Sequence, residues 1–448
     1  MENEIFRESK ISKAYIRLSL PLVFSMVVTL IYNLADTYFV AQTNDTNIVA
    51  GVSLGMPVFT LLMAFGNIFG QGGGSLISRL LGQKDEQGVH HVSSFCFYIA
   101  VCLGMIIAIV MLILRIPLLY VIGASTETFT HASNYYIYLA IGAPAVMLSF
   151  IHSNFLRSEG MSKESMMGTI LGAVVNIVLD PIFISILGLG ASGAAIATVI
   201  GYVFSDIFFI YIVVKKSKIL SINPKDINIP AKFMRQILGI GIPAAIVNLM
   251  QSVSVVLMNQ FLLPFGNDKI AAMGIVLKVN MIALLLLTGF AFGGQPLFGY
   301  YYGANDKKRL SELLHFCAGF ISMIALILTA IIFLAAPFLM KCFMKNESII
   351  NDGTVMLRWQ VITMICVGIV LLMTIIFQSM GKVAGSFILS ISRQGIIFLV
   401  ILVIAYNMIG YMGIIISQAT ADLLTAVIAV ILFKNQLYKE FYFEKSEK

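Results

Sequence analysis

Four aspartates interrupt runs of otherwise apolar residues: Asp36, Asp180, Asp206 and Asp422. A charged aspartate at the centre of a membrane helix costs about 2.5–3.5 kcal/mol. Such a residue faces a cavity or a partner and acts there. Asp180 lies in GAVVNIVLDPIFI, residues 172–184. Asn176 stands four residues before it, on the same face of a helix, and offers a carbonyl acceptor and an amide donor beside the carboxylate. Tyr32 and Asp36 share that spacing in an earlier run. Thr198 is the nearest obvious hydroxyl in the run that follows. The oxygens of Asp36, Asn176, Asp180 and Thr198 would make a hard-oxygen site for a cation. The same atoms could equally hold a proton network.

Each of these residues also has a plainer reading. Asp180 precedes Pro181, and Asp at an N-cap with Pro at the first helical position is a routine helix start. Asp36, a few residues from Gln42, could snorkel to the outer interface. Asp206 lies towards the end of its run and is expected to pair with a basic residue. Lys278, Arg393 and Asp422 fall in the second half of the chain. Their bland role is a buried ion network; their functional role would be to bind an anionic substrate group or to couple helix movements.

The elements that must position these residues follow from composition. Of 448 residues, 59% are hydrophobic and only 11% charged, with a mean hydropathy of +0.94. Soluble domains carry about a quarter charged residues, so most of this chain lies in lipid. Its apolar runs are continuous and about 20 residues long, which selects helices over a β-barrel. Twelve spans are expected, near 16–39, 48–70, 92–114, 134–156, 165–186, 191–214, 238–261, 270–297, 312–340, 355–378, 386–406 and 411–433. The first run is too long for a signal-peptide core and should stay as an anchor.

Placing the N-terminus in the cytoplasm puts 22 of the 29 Lys and Arg residues on that side. They include Lys10, Arg17, Arg79, Arg157, Lys215, Arg235, Lys307 and the tail Lys445 and Lys448. Both termini are therefore expected inside. The net charge of +7 suits basic loops lying on anionic lipid, without nucleic acid. The five Cys show no CxxC, and His90 and His91 look like solvated loop residues, so no metal or other cofactor is expected beyond a coupling ion. The glycine run FGQGGGS, 69–75, lacks the Lys-Ser/Thr of a phosphate loop and reads as a close-packing or hinge segment at a span end. Among the many Met and Phe, Met26, Met147 and Phe155 are weak candidates for a pocket that accepts organic cations.

The two halves repeat. LSLPLVFSMVVTLIYNLADTYFV aligns with IGIPAAIVNLMQSVSVVLMNQFL, setting Pro21 against Pro243. RLLGQKDEQGV aligns with YYYGANDKKRL, pairing Gly82 with Gly303 and Asp85 with Asp306, and RSEG with QSMG, pairing Gly160 with Gly381. An even number of spans per half makes the repeats parallel. The expected organisation is an N-terminal lobe over 1–214, a basic cytoplasmic linker over 215–235, and a C-terminal lobe with its tail over 236–448. Two like lobes support alternating access, and no GxSxG, HExxH or P-loop occurs in a plausible setting. A carrier is expected rather than an enzyme.

The segments PLVFSMVVTLIYNLADTYFVAQ, ISRLLGQKDEQG, RSEGMSKESM and above all NIVLDPIFI resemble the multidrug and toxic compound extrusion (MATE) transporters, DinF and MepA-like branch. The resemblance implies an all-α membrane fold of twelve helices in two pseudo-symmetric lobes. It implies export of organic cations, drugs and dyes among them, in exchange for H⁺ or Na⁺ across the cell membrane by a monomer. It also implies a first-lobe coupling site at Asp36, Asn176, Asp180 and Thr198 with Tyr32 nearby, and a bending helix 1 at Pro21. The NorM-like second-lobe acids are not expected here: the spans 238–261 and 355–378 carry no Asp or Glu, and the span 270–297 offers Lys278. The main alternative is a lipid-linked oligosaccharide flippase, whose cavity should be lined with Arg and Lys.

Overall fold

A computed structural model describes residues 4–7, 10–343 and 345–442; Lys445 and Lys448 of the basic tail lie outside them. Among the described residues, ten helices are long and apolar enough to cross a membrane, and two bent helix pairs bring the number to twelve. In chain order they are α1 (Ile11–Ala41), α2 (Thr46–Gln83), α3 (Glu86–Ile113), α4 (Phe129–Ile141 and Ala143–Ser158, bent by 53°), α5 (Ser162–Ile186) and α6 (Gly190–Lys215). Then come α7 (Ala231–Phe265), α8 (Asn267–Gly303), α9 (Lys307–Phe343), α10 (Glu347–Ile362 and Met364–Ser379, bent by 44°), α11 (Val383–Ile409) and α12 (Tyr411–Gln436). Each expected span falls on one of them. Ile327, Ile331, Leu334 and Phe338 run along one face of α9 and are all exposed. Such a stripe is stable where hydrocarbon takes the place of water.

Helix α2 is much longer than its expected span, at 38 residues. The run 69–75 therefore sits inside the helix instead of ending it. Its glycines let other helices approach: a Cβ at Gly70 would lie 3.0 Å from the carbonyl oxygen of Phe150, and one at Gly73 2.9 Å from the Phe155 ring.

The chain forms two compact units, and their boundaries differ from the expected lobes in two ways. The first unit holds Pro21–Gly241. The second holds Ile242 onward together with the start of α1 up to Leu20. Within the second unit, Tyr15 donates from its hydroxyl to the Phe290 carbonyl at 2.7 Å. A Cβ at Gly293 would meet Ser19 Cα at 2.4 Å. Reciprocally, the start of α7 belongs to the first unit. A Cβ at Gly241 would lie 1.9 Å from the Ile68 carbonyl oxygen, and one at Gly72 2.2 Å from that of Ile237. Membership thus changes at Pro21 in α1 and beside Pro243 in α7. No alternation of apolar residues marks either point, because both helices stay apolar across it.

The segment 215–235, expected as a basic linker, is bonded to the first unit. Ser221 donates its backbone N–H to Ser93 Oγ at 2.9 Å, Tyr98 donates to the Ile222 carbonyl at 3.1 Å, and His91 Nδ1 lies 3.0 Å from the Asp226 carbonyl. His91 is therefore bonded and half-buried, where solvation was expected. Glu159, in the turn after α4, accepts from Ser217 Oγ at 2.6 Å and from the Lys218 backbone N–H at 3.2 Å.

The internal repeat has a geometric signature. Lys84 and Asn305 both take left-handed backbone, with φ of 61° and 56°. The next residue in each copy caps a helix: Asp85 accepts from the Gly88 N–H at 2.8 Å, and Asp306 from the Arg309 N–H at 3.0 Å. Gly160 and Gly381 share positive φ, 90° and 71°.

In the first unit, α5 and α6 pack backbone to backbone. A Cβ at Gly201 would lie 2.7 Å from the Gly172 carbonyl oxygen, and one at Gly168 2.1 Å from the Phe209 ring. Ser205 Oγ donates to the Gly168 carbonyl at 2.9 Å. This approach brings the Asn176 side of α5 against the Thr198 side of α6.

Two measurements check this packing. Gly201→Val should destabilise the purified protein by about 1–3 kcal/mol, read as a lower thermal transition in detergent. Gly274→Ala, where a Cβ meets nothing within 4 Å, should leave stability unchanged or slightly raised. Burial pushes the Glu159 carboxyl above its ordinary value, against the lowering effect of its bonds from Ser217 and Lys218. The folded state then holds the proton more tightly than the unfolded state, so Glu159 makes folding more favourable as pH falls towards and below its raised value. Glu159→Gln should flatten that part of the stability–pH curve.

Candidate coupling site in the first lobe

Helix α5 is helical through Asp180, with φ −52° and ψ −58°, and continues into a wide π turn at Pro181–Ile186. Proline removes the N–H that an α-turn would need, and the turn is closed by the Leu187 N–H reaching the Ile182 carbonyl at 2.8 Å. Asp180 makes no capping bond. The helix-start reading of Asp180 is therefore corrected: its carboxyl points sideways into the lobe. Wide turns of this kind cluster at functional sites.

Asn176 Nδ2 donates to Asp180 Oδ1 at 3.3 Å and lies 3.5 Å from Thr198 Oγ1. Asp180 is fully buried, with Asn176 at 2% and Thr198 at 7% exposure. Asp36 and Asp180 are near enough for their charges to interact. Tyr32, on α1, lies within charge range of both acids and beside the Tyr202 hydroxyl. The five expected residues thus converge inside one unit.

The arrangement leaves acceptors over. Asp36 Oδ1, Asp180 Oδ2 and Asn176 Oδ1 are buried and have no hydrogen-bond partner among the described residues. Three buried oxygens without donors are costly. A proton on a carboxylate or a small cation among the three oxygens would relieve that cost. The donor set is all oxygen, which suits Na⁺ and disfavours soft metals.

Two residues of the site escaped sequence reasoning. Tyr135 of α4 lies within charge range of Asp36, Asp180 and Tyr32, and Gly55 of α2 makes room for its ring, since a Cβ there would fall 2.2 Å from Cδ1. In the run NYYIY nothing distinguishes it. Tyr202 did carry a signal, being four residues after Thr198 on the same helix face.

Other expectations fare differently. Asp206 is buried beside Ser149, with one oxygen unpartnered and no cation within ion-pair distance among the described residues; the expected basic partner is corrected. Met147 is fully buried and Phe155 is packed on Gly73, so both are core of the first unit and not pocket lining. Met26 is half-buried. In the second unit, Arg393 Nε donates to Asp422 Oδ1 at 2.8 Å, Gln418 Nε2 to the same oxygen at 3.0 Å, and Thr363 Oγ1 to Asp422 Oδ2 at 3.3 Å. Lys278 is exposed and joins no partner among the described residues, so it stands outside this network.

The family model MatE matches the chain twice, over residues 21–182 and 243–404. The chain belongs to the MATE family. Multidrug export protein MepA of Staphylococcus haemolyticus (strain JCSC1435) is 32% identical over 427 residues, covering 95% of this chain and 94% of that protein. MepA of Staphylococcus aureus (strain NCTC 8325 / PS 47) shows the same identity and coverage. Among solved structures, a MATE protein in a bent conformation superposes with a TM-score of 0.91 at 27% identity, covering 98% of this chain and 97% of that one. An outward-facing multidrug resistance MATE transporter gives 0.91 and 27%, with 98% of each chain covered. The doubled match to one MATE model coincides with the doubled caps and left-handed residues described above. The fold is thus the all-helical MATE fold, in a multi-pass membrane protein.

The second-unit ion pair yields a stability test. Arg393→Ala strands a buried carboxylate and should cost about 3–5 kcal/mol. The double variant Arg393→Gln/Asp422→Asn should recover most of it, as judged by thermal unfolding of the purified proteins.

Proposed function

We propose that this chain is a secondary active multidrug exporter that moves organic, mostly cationic compounds outward in antiport with H⁺ or Na⁺. The observation that carries the reading is the trio of buried, donor-free oxygens on Asp36, Asn176 and Asp180. It is supported by family membership and by relatives named as multidrug export proteins. Those names favour export over the flippase alternative.

In the outward-open state an ion enters between Asp36 and Asp180. As a proton it neutralises one carboxyl; as Na⁺ it draws the two acids and the Asn176 carbonyl together. Either event changes what holds α1 to α5. Helix α1 contains Pro21, whose carbonyl takes the Ser25 hydroxyl at 3.0 Å, so it has a built-in weak point at which to respond. That response displaces the drug outward, and the loaded protein then turns inward and releases the ion. Each positive charge moving inward releases about 2.3 kcal/mol per 100 mV. Both termini lie in the cytoplasm of a cell whose plasma membrane holds the protein, a monomer whose basic loops contact anionic lipid.

Asp36→Asn and Asp180→Asn should each reduce ethidium efflux from cells to the level seen without the protein, at matched expression and with unchanged folding. Normal export by both variants sinks the assignment. In proteoliposomes, an imposed proton gradient or an imposed sodium gradient should drive uptake into inside-out vesicles, and the active one identifies the coupling ion.

A further inference from the structure

The polar cluster of the second unit lies on helices α10, α11 and α12, which repeat α4, α5 and α6 of the first unit. Gly190 and Gly410, which open α6 and α12, have φ of 51° and 59°. A Cβ at Gly193 would strike the Phe183 carbonyl oxygen at 2.7 Å, and one at Gly413 the Ala405 carbonyl oxygen at 2.1 Å. These pairs fix the register of the repeat, which sets Thr198 against Gln418 and Tyr202 against Asp422. The bends of α4 and α10 correspond too, falling at Gly142 and Thr363. At the 221-residue offset of Gly160 and Gly381, Arg393 stands opposite Gly172, on the helix that repeats α5.

That guanidinium is oriented and only partly used. Arg393 sits on a π turn, Ser392–Ile396, in which Gly395 departs from helical geometry at φ −114° and ψ −111°. Its side chain is 15% exposed, and that of Asp422 is 2% exposed. Asp422 is satisfied by three donors, from Arg393, Gln418 and Thr363. Only Nε of Arg393 is engaged; neither terminal nitrogen has a partner among the described residues. One turn from each member of the ion pair lies a buried hydroxyl without a partner, Ser390 and Thr425. A pair serving stability alone would use the guanidinium's two-pronged grip on the carboxylate. Here Asp422 holds the fork by its neck and leaves its ends available.

We propose that Arg393 is an oxyanion-accepting subsite, whose terminal nitrogens take the carboxylate, phosphate or sulfonate of a substrate that also carries a positive charge. Asp422, Gln418 and Thr363 are positioning residues. The inference rests on the exporter reading and assigns the residue of this chain that would meet the anionic group of such a substrate.

Two rhodamines isolate the effect. Rhodamine 110 bears a free carboxylate, and rhodamine 123 is its methyl ester. Binding is measured by fluorescence anisotropy on purified full-length protein in dodecyl maltoside, where no lipid phosphate competes. Arg393→Gln/Asp422→Asn, which removes both charges together, should weaken rhodamine 110 binding about tenfold and leave rhodamine 123 within about twofold. Arg393→Lys should retain part of the preference, since a point charge replaces a fork. Asp422→Asn alone should loosen the guanidinium and affect rhodamine 110 more than rhodamine 123. Equal losses for both dyes, or no change in either, overturn the subsite while leaving export intact. Wild-type protein that binds rhodamine 123 but not rhodamine 110 overturns it too. If neither dye binds, the exporter reading fails first and the subsite falls with it.

Discussion

Buried oxygen atoms without donors constrain this molecule more than any other feature. Inside a lipid-embedded bundle an unpaired buried acceptor is costly. Asp180 nevertheless sits fully buried with a single amide donor among the described residues, from Asn176. That arrangement requires α5 and α6 to touch through Gly172 and Gly201, a wide turn at Pro181, and the aromatic hydroxyls of Tyr32, Tyr135 and Tyr202 around the acids. Much of the first unit's local architecture can be understood as holding a group in a state it would not choose unaided. A proton or a small cation placed among these oxygens would relieve part of that cost.

The two units share a plan and differ in chemistry. Both have a bent helix and a helix opened by a left-handed glycine at matching points, and each has a π turn on its fifth helix, although at a different place along it. The backbone devices recur because they solve the same packing problem twice. The side chains are free to diverge once the backbone is set, and they have done so most where each unit buries charge: unpaired acids in one, a guanidinium bound to an acid in the other.

How much of this was legible beforehand depended on the range of the signal. Twelve spans followed from long apolar runs, which composition alone reveals. Asn176, Asp180 and Thr198 were legible because four-residue spacing defines a helix face and because acids are rare in such runs. Tyr135 was not, since an aromatic residue among aromatics carries no mark until a glycine 80 residues earlier makes room for its ring. The expected end of the second span failed for a related reason: a glycine-rich run weakens an isolated helix, yet tight neighbours such as Phe150 and Phe155 keep α2 unbroken. Asp206 was assigned a basic partner by proximity to the basic end of its helix, whereas its rotation around α6 turned it to Ser149.

The exchange of helix starts bears on how the chain is assembled at the membrane. The first unit needs residues as late as Gly241, whose close seat on α2 admits no side chain. Its packing stays incomplete when the sixth helix leaves the ribosome and closes only once the beginning of the seventh has been synthesised. The second unit, conversely, must recover a stretch made near the very beginning, where Tyr15 finds the Phe290 carbonyl. Neither half is a self-sufficient biosynthetic module, and a gene cut midway would deprive each product of a piece of its own interior.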